Sequence, residues 1–347
     1  MLRRKALGLL SLLPLGAVLG TAGCTREQAY LQFEGATMGT RYHIRFQPPS
    51  AAFDAAALQM AVDARLDVLN ASLSTYRADS VITAFNEAAP GKDVPIDADF
   101  ERVLDLSRQV YQASGGAFDP TVGGLVNLWG FGWPKLEQPL TRLPAPEAIE
   151  AARGRFEAVE QPAPGRLVKR APLRLDFSAI AKGYGVDLIA GVMQGQGIAH
   201  YMVEIGGEVA TRGQGPAGGP WRIGIEAPDP AVTGRVLTRL HLSEAALATS
   251  GNYRNFFELE GRRFSHVIDP VSGYPVPRPP VSVSVLADNV ALADAWATAF
   301  MVLDEARGAE VAEANQLAVF WVYEDNGGRR TRHSQRMAPL LNAGHPE

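Results

Sequence analysis

The sequence predicts an α+β protein of mixed sheets with flanking helices. Strand-like and helix-like segments come in blocks, and alternating strand-like runs dominate the half beyond Gly185. A doubly wound parallel sheet would instead alternate its strands with helices.

The first segment is not part of that fold. Arg3, Arg4 and Lys5 precede an apolar run from Ala6 to Leu19 that is broken by Gly8, Pro14 and Gly16, the pattern of an export signal. The run is too short and too broken for a permanent membrane span. Thr21-Ala22-Gly23-Cys24 resembles a bacterial lipobox, with Thr21 where leucine is more usual. That reading removes residues 1–23 and places a lipid on Cys24, tethering the chain to the periplasmic side of a bacterial membrane, the inner membrane by preference. A spare or buried thiol is the other account of Cys24. It is the chain's only cysteine, so no disulfide forms within one chain. Arg3-Arg4 leaves a twin-arginine export route open.

Residues 24–347 are expected to form one large domain, with a mobile polar tail from about 326. The net charge is −4, without a long basic or acidic run, which argues against a nucleic-acid surface and a polybasic membrane patch. A small-molecule enzyme fits this composition.

Taken in order, Tyr30 to Phe46 reads as two short strands around Gly35-Ala36-Thr37-Met38-Gly39, and Phe53 to Leu69 as an alanine-rich amphipathic helix. A second helix is predicted from Asp99 to Ser114, because Phe100, Val103, Leu104 and Leu106 recur at helical spacing and Gly115-Gly116 offers a stop. Gly123 to Pro146, with Trp129 and Trp133, reads as a long ordered loop, either covering a site or simply connecting. A helix runs on from Gly185 to about Gln194. Strands follow at Tyr201–Ile205, Val209–Arg212, Trp221–Ile225, Val236–Leu242, Phe264–Ile268 and Val281–Leu286. A helix around Asp294 and an apolar run from Leu317 to Tyr323 close the fold.

Candidate chemistry gathers in a few places. Asp294 and Thr298 stand four residues apart in ALADAWATAFMVL, so their oxygens share one helix face and suit a hard cation. His266 and Asp269 lie in FSHVIDPVSGYP, where a strand meets turn chemistry. Asp176, Lys182 and a carbonyl near Ala179 share one junction: Lys182 can neutralise a phosphate, Asp176 can accept from a ring N–H or hydroxyl, and the carbonyl can serve a cation. The turn at Gly115–Gly123 brings Phe118 or Asp119 to a flat polar ligand, and Tyr76 can stack on the same ring. Each residue also has an ordinary account: a helix-turn acid, a back-bonding threonine, an aspartate opening a turn before Pro270, a solvated ion pair, a packed tyrosine.

Other signatures are weaker. Gly213 to Gly218 spells G-x-G-x-x-G, but Pro216, Gly219 and Pro220 lead into a strand rather than a helix, so a glycine-rich hairpin loop is the better account. P-loop, H-E-x-x-H, C-x-x-C and G-x-S-x-G patterns do not occur.

Together the motifs Met38-Gly39-Thr40, STYRADSVITAFN, GGAFDPTVGG, LDFSAIAKGYGVD, VEIGGEV, ATSGNY, SHVIDPVSG and ADAWATA resemble the ApbE family of FAD:protein FMN transferases. The likeness spans most of the mature chain. It implies two entwined lobes with a flavin site between them, and magnesium-dependent transfer of FMN from FAD to a Ser or Thr of a partner redox protein, with AMP released. It implies FAD contacts at Met38, Tyr76, Ala117, Phe118, Asp119, Asp176, Lys182 and Ile268, and Mg²⁺ held by the Ala179 carbonyl, Asp294 and Thr298. His266 is then the expected general base, with Asp269 the alternative. An FAD pyrophosphatase and a non-catalytic exported flavin-binding lipoprotein are the rival readings.

Overall fold

The computed structural model describes residues 29–342 apart from 134, 136–139, 229–233, 253–254 and 326–327. The expected export segment, Cys24 and Tyr253 of the ATSGNY motif lie outside these residues.

Strands β1 (Leu31–Thr37) and β2 (Thr40–Phe46) form a hairpin through Met38-Gly39, at φ of 49° and 72°. The five-residue connection expected here therefore narrows to two, because left-handed geometry at both positions matches the twist of the flanking strands. Helix α1 (Ala55–Leu73) follows, capped by Asp54, which accepts from the Ala56 and Ala57 amides. After α2 (Val81–Glu87) and β3 (Val94–Pro95) comes α3 (Ala98–Ser114), begun by an Asp97 cap on the Phe100 amide and ended by Gly115 at φ 67°. The predicted long loop instead starts with a short helix, α4 (Gly123–Leu128), and ends at α5 (Pro146–Ala152). Next are β4 (Val159–Ala163), β5 (Arg166–Lys169) and α6 (Ala181–Gly195), which starts four residues before Gly185 and so puts Lys182 in its first turn.

The second half is strand-rich, as the alternation predicts. It runs through β6 (Tyr201–Ile205), β7 (Glu208–Arg212), β8 (Trp221–Glu226), β9 (Val236–Leu242), β10 (Ala245–Gly251), β11 (Phe256–Leu259), β12 (Arg262–Ser265) and β13 (Ser282–Ala287). Helices α7 (Val290–Val302) and α8 (Glu305–Ala314), strands β14 (Ala318–Asp325) and β15 (Gly328–His333) and helix α9 (Ala338–Asn342) complete it. One eight-stranded sheet has the order β1-β2-β6-β7-β10-β13-β14-β15, and its ladders are antiparallel. The pairs β8-β9 and β11-β12 and the trio β3-β5-β4 form smaller sheets. The architecture is α+β.

Three expectations are corrected here. The strand expected at Phe264–Ile268 ends at Ser265, and Ile268 makes only an isolated bridge to Pro275, which frees His266 from any ladder. The tail expected to be mobile from 326 instead supplies the edge strand β15 and α9 among the described residues. Its polar residues are paired: Arg330 and Arg332 bind Glu305, while Ser334 ties Leu317 to Val319 and Met337 is fully buried. The Gly213–Gly219 loop turns on itself through Gly215 and Gly219, but β7 and β8, which it joins, pair with other strands, so it is not a hairpin.

Helix α7 is the pivot of the molecule. It is apolar on nearly every side, as expected of a helix enclosed by other elements, and it packs on β10, β13, α6 and α3. Asn289 caps it on the Leu292 amide, and Asp187 of α6 accepts from the Val290 and Ala291 amides. Gly183 permits that crossing: a Cβ there would meet the Val290 carbonyl oxygen at 2.3 Å. Among the described residues no helix is long and apolar enough to cross a membrane.

Candidate active site

The first turn of α6 faces the middle of α7, and charge collects at that contact. Asp294 is only 2 % exposed, and its carboxylate accepts from the Gly183 amide at 3.0 Å and from the Lys182 ammonium at 3.4 Å to each oxygen. Lys182 is also 3.4 Å from Glu208, the first residue of β7, which is equally buried. Burial alone would lower the lysine pKa, but Asp294 and Glu208 outweigh it and hold it above the ordinary range. Burial pushes the Glu208 carboxyl up, against the pull of Lys182 and with the help of Asp294.

This cluster lines a cavity of about 380 Å³. Ala179 and Thr298 line it too, so the three oxygen-bearing positions expected for a cation border the same cavity as Lys182. The donor set fits a hard divalent ion for a specific reason. Gly183 is the third residue of α6, so its amide has no partner within the helix, and Asp294 takes it. The Ala179 carbonyl, just before the helix, accepts from no backbone amide among the described residues. The Thr298 hydroxyl lies 3.3 Å from the Ser250 hydroxyl. No group of three or more His, Cys, Asp or Glu capable of holding a metal occurs among the described residues, so an ion here would rest on one carboxylate, neutral oxygens and its own waters or substrate oxygens, a mode typical of Mg²⁺.

The remainder of the cavity suits a flat ring. Tyr76, Ala117, Phe118, Asp119, Asp176 and Ile268 line it, as the sequence led us to expect. Tyr76 sits at the rim, 58 % exposed, with its ring 5.4 Å from that of Trp133. Asp119 is buried and accepts from the Thr121 amide and hydroxyl at 2.8 and 2.7 Å; burial raises its pKa and those bonds oppose the rise. Asp176 accepts from the Ser178 amide and hydroxyl. His266 faces the same space from just beyond β12. Its Nδ1 is 3.1 Å from the Asn255 carbonyl oxygen, which can only accept, so Nδ1 carries the proton and Nε2 is left as the basic nitrogen. Burial lowers its pKa, so the ring is neutral at physiological pH.

Two expected members stand apart. Asp269 is not among the residues lining the cavity: its carboxylate accepts from the Val271 and Ser272 amides in an Asx turn that holds it beside the wall. Met38 is also absent from the lining. Held at positive φ, it packs its side chain toward Gly185 of α6 and both main cores. Conversely, Glu208 and Asn255 line the cavity without having been singled out, beside Thr249 and Ser250 of the ATSGNY motif, whose hydroxyls the sequence offers near a turn. Glu208 and Ser250 sit in the noted motifs VEIGGEV and ATSGNY, so the signal was present, but nothing local to either says that it meets Lys182 or Thr298.

Known proteins show the same organisation. The ApbE family profile matches residues 38–321. A FAD:protein FMN transferase of Vibrio cholerae is 39 % identical over 95 % of this chain and 98 % of its own, and one of Haemophilus influenzae is 35 % identical over 95 % and 96 %. Among solved structures, the flavin transferase ApbE from Vibrio cholerae superposes with a TM-score of 0.81 at 38 % identity, covering 90 % of this chain and 99 % of the other. The apo flavinyl transferase ApbE of Pseudomonas stutzeri gives 0.82 at 36 %, covering 91 % and 98 %. A family match across this span, joined to relatives above one-third identity along nearly the whole chain, settles the descent: the chain belongs to the ApbE family.

Proposed function

We propose that this chain is an FAD:protein FMN transferase that moves FMN from FAD to a Ser or Thr hydroxyl of a partner redox protein. The observation that carries the reading is the cavity in which a half-buried lysine between two buried carboxylates, a neutral histidine and a recess lined by Tyr76 and Phe118 meet. The names of the relatives support the same reaction.

In this account the acceptor hydroxyl oxygen forms a bond to the phosphorus on the FMN side, the pyrophosphate P–O bond breaks, and AMP leaves with the other phosphate. His266 Nε2 takes the hydroxyl proton, and the Nδ1 bond to Asn255 fixes the tautomer that makes this possible. Lys182 supplies positive charge to the pyrophosphate oxygens, which need neutralisation more than covalent help. The Ala179 carbonyl, Asp294 and Thr298 would hold Mg²⁺, which when bound adds charge neutralisation and alignment at the phosphates. Tyr76 and Phe118 flank the isoalloxazine, with Asp119, Asp176 and Ile268 completing its pocket.

The N-terminal pattern supports export and lipid attachment at Cys24, which would set the enzyme on the periplasmic side of the membrane. A Cys24→Ser chain is expected in the soluble fraction; full membrane retention of that variant contradicts the anchor.

The test of the reaction is intact mass of an acceptor carrying Thr in a D-x-x-[ST]-G-A-[ST] sequence, after incubation with FAD and either magnesium or EDTA. A gain of one FMN with magnesium alone, matched by AMP, is expected. AMP without acceptor modification would make the chain a pyrophosphatase, and neither product would make it a flavin carrier.

A further inference from the structure

Glu208 is the one carboxylate of the cluster with an unused oxygen. Its Oε1 is 3.4 Å from Lys182 Nζ, while Oε2 is buried in the cavity wall with no hydrogen-bond partner. Leaving a buried carboxylate oxygen unpartnered is costly, so its presence beside a lysine calls for an explanation. The ammonium lies at the same distance from Asp294 as from Glu208, although Asp294 has the Gly183 amide as a second partner and Glu208 has none. A divalent cation at Asp294 and an ammonium at Asp294 compete for the same oxygens and repel each other. The lysine must therefore move, and the open side of the contact is the free Oε2.

We propose that Glu208 is a positioning residue that receives the Lys182 ammonium when the Asp294 carboxylate turns to a divalent cation. This rests on the magnesium reading above and deepens it. Charge counting favours the exchange. With Glu208 ionised by its contact with Lys182, the group Lys182, Asp294 and Glu208 sums to −1, so a divalent ion brings it to +1, opposite in sign to an incoming pyrophosphate diester of charge −2. Without Glu208 the lysine has one carboxylate left, and the ion must displace it from its only partner. Glu208 thus lowers the barrier to metal entry while keeping the ammonium in the cavity, where it can meet the phosphates.

The test is Mn²⁺ titration of the purified full chain, followed through the EPR signal of free Mn²⁺, with no flavin and no turnover. Glu208→Gln keeps the volume and removes the charge. It is expected to weaken Mn²⁺ binding about tenfold, the size of one charge-assisted hydrogen bond. Lys182→Met removes the competitor and should bind Mn²⁺ more tightly than wild type. In the Lys182→Met background, Glu208→Gln should change the affinity by less than about twofold, since the effect runs through the lysine. A tenfold loss in both backgrounds would overturn the proposal, making Glu208 a ligand or a fixed field. Unchanged affinity in Glu208→Gln alone, with wild type still binding and Asp294→Asn not, would overturn it too while leaving the metal reading intact. No Mn²⁺ binding by wild type would remove both.

Discussion

The two ends of the cavity are built in opposite ways. At the phosphate end, Asp294, Lys182 and Glu208 stand on α7, α6 and β7, regular elements locked by capping aspartate bonds and by the glycine crossing at Gly183. At the rim, Tyr76 is exposed with its ring tilted against that of Trp133, and His266 leaves the end of β12, a strand of the separate β11-β12 hairpin. The contrast teaches a division of labour. Charge on a pyrophosphate is met by side chains whose backbones are fixed in advance on regular elements, whereas a surface that admits both a flavin ring and a protein hydroxyl has to tolerate different shapes.

The comparison breaks most sharply at Asp294. Asp294→Ala is expected to lower the transfer rate by roughly 10²–10³ or more and to cost stability as well, because the Gly183 amide loses its acceptor and Lys182 one of its two carboxylates. Single-turnover rates and thermal melts on the same preparation check both halves; a normal melt would mean that the cluster is not structurally tied. His266→Ala should cost about 10²–10⁴ in transfer while FAD binding and melting stay as in wild type, since the rim carries no fold. The pH profile sharpens this. Burial lowers the His266 pKa, and the neutral form is the active one, so transfer should persist below the ordinary histidine value of about 6.5 and fall only as pH drops through the lowered value. A fall beginning above pH 7 would contradict the assignment.

Gly183→Ala tests the scaffold without touching a charged group. Its methyl would lie 2.3 Å from the Val290 carbonyl oxygen, so α6 and α7 must separate, at a cost of about 1–3 kcal/mol that chemical denaturation can read. Tyr76→Ala should do the least. It is expected to raise the KM for FAD by less than about tenfold, the worth of one aromatic contact, and to leave the melting temperature unmoved.

Much of this was legible in the sequence, and the losses have a common cause. The i, i+4 spacing of Asp294 and Thr298 placed both on one helix face because helix periodicity is local, and the runs at Tyr201–Ile205 and Val236–Leu242 gave their strands with the observed bounds. Lys182, Ala179 and Asp176 were readable as one element junction, although an isolated bridge at Arg174 rather than a strand precedes α6. Glu208 was not: it sits beside Lys182 only because the β6-β7 hairpin lies against α6, a relation 26 positions apart that no local pattern carries. Asp269 carried both a turn reading and a base reading, because a turn aspartate and a catalytic one look alike in sequence; the structure shows the turn, with the Val271 and Ser272 amides on its carboxylate. The tail looked mobile because Arg329, Arg330 and Arg332 are polar, yet on an edge strand polar residues are what a folded sheet presents to water.

The most direct measurement is a crystal grown with Mn²⁺ and FAD and examined by anomalous scattering. The account predicts one peak about 2.2 Å from an Asp294 oxygen, the Thr298 hydroxyl and the Ala179 carbonyl, in contact with the FAD pyrophosphate. FAD bound in the cavity with no peak there, or with the metal on other residues, would contradict it.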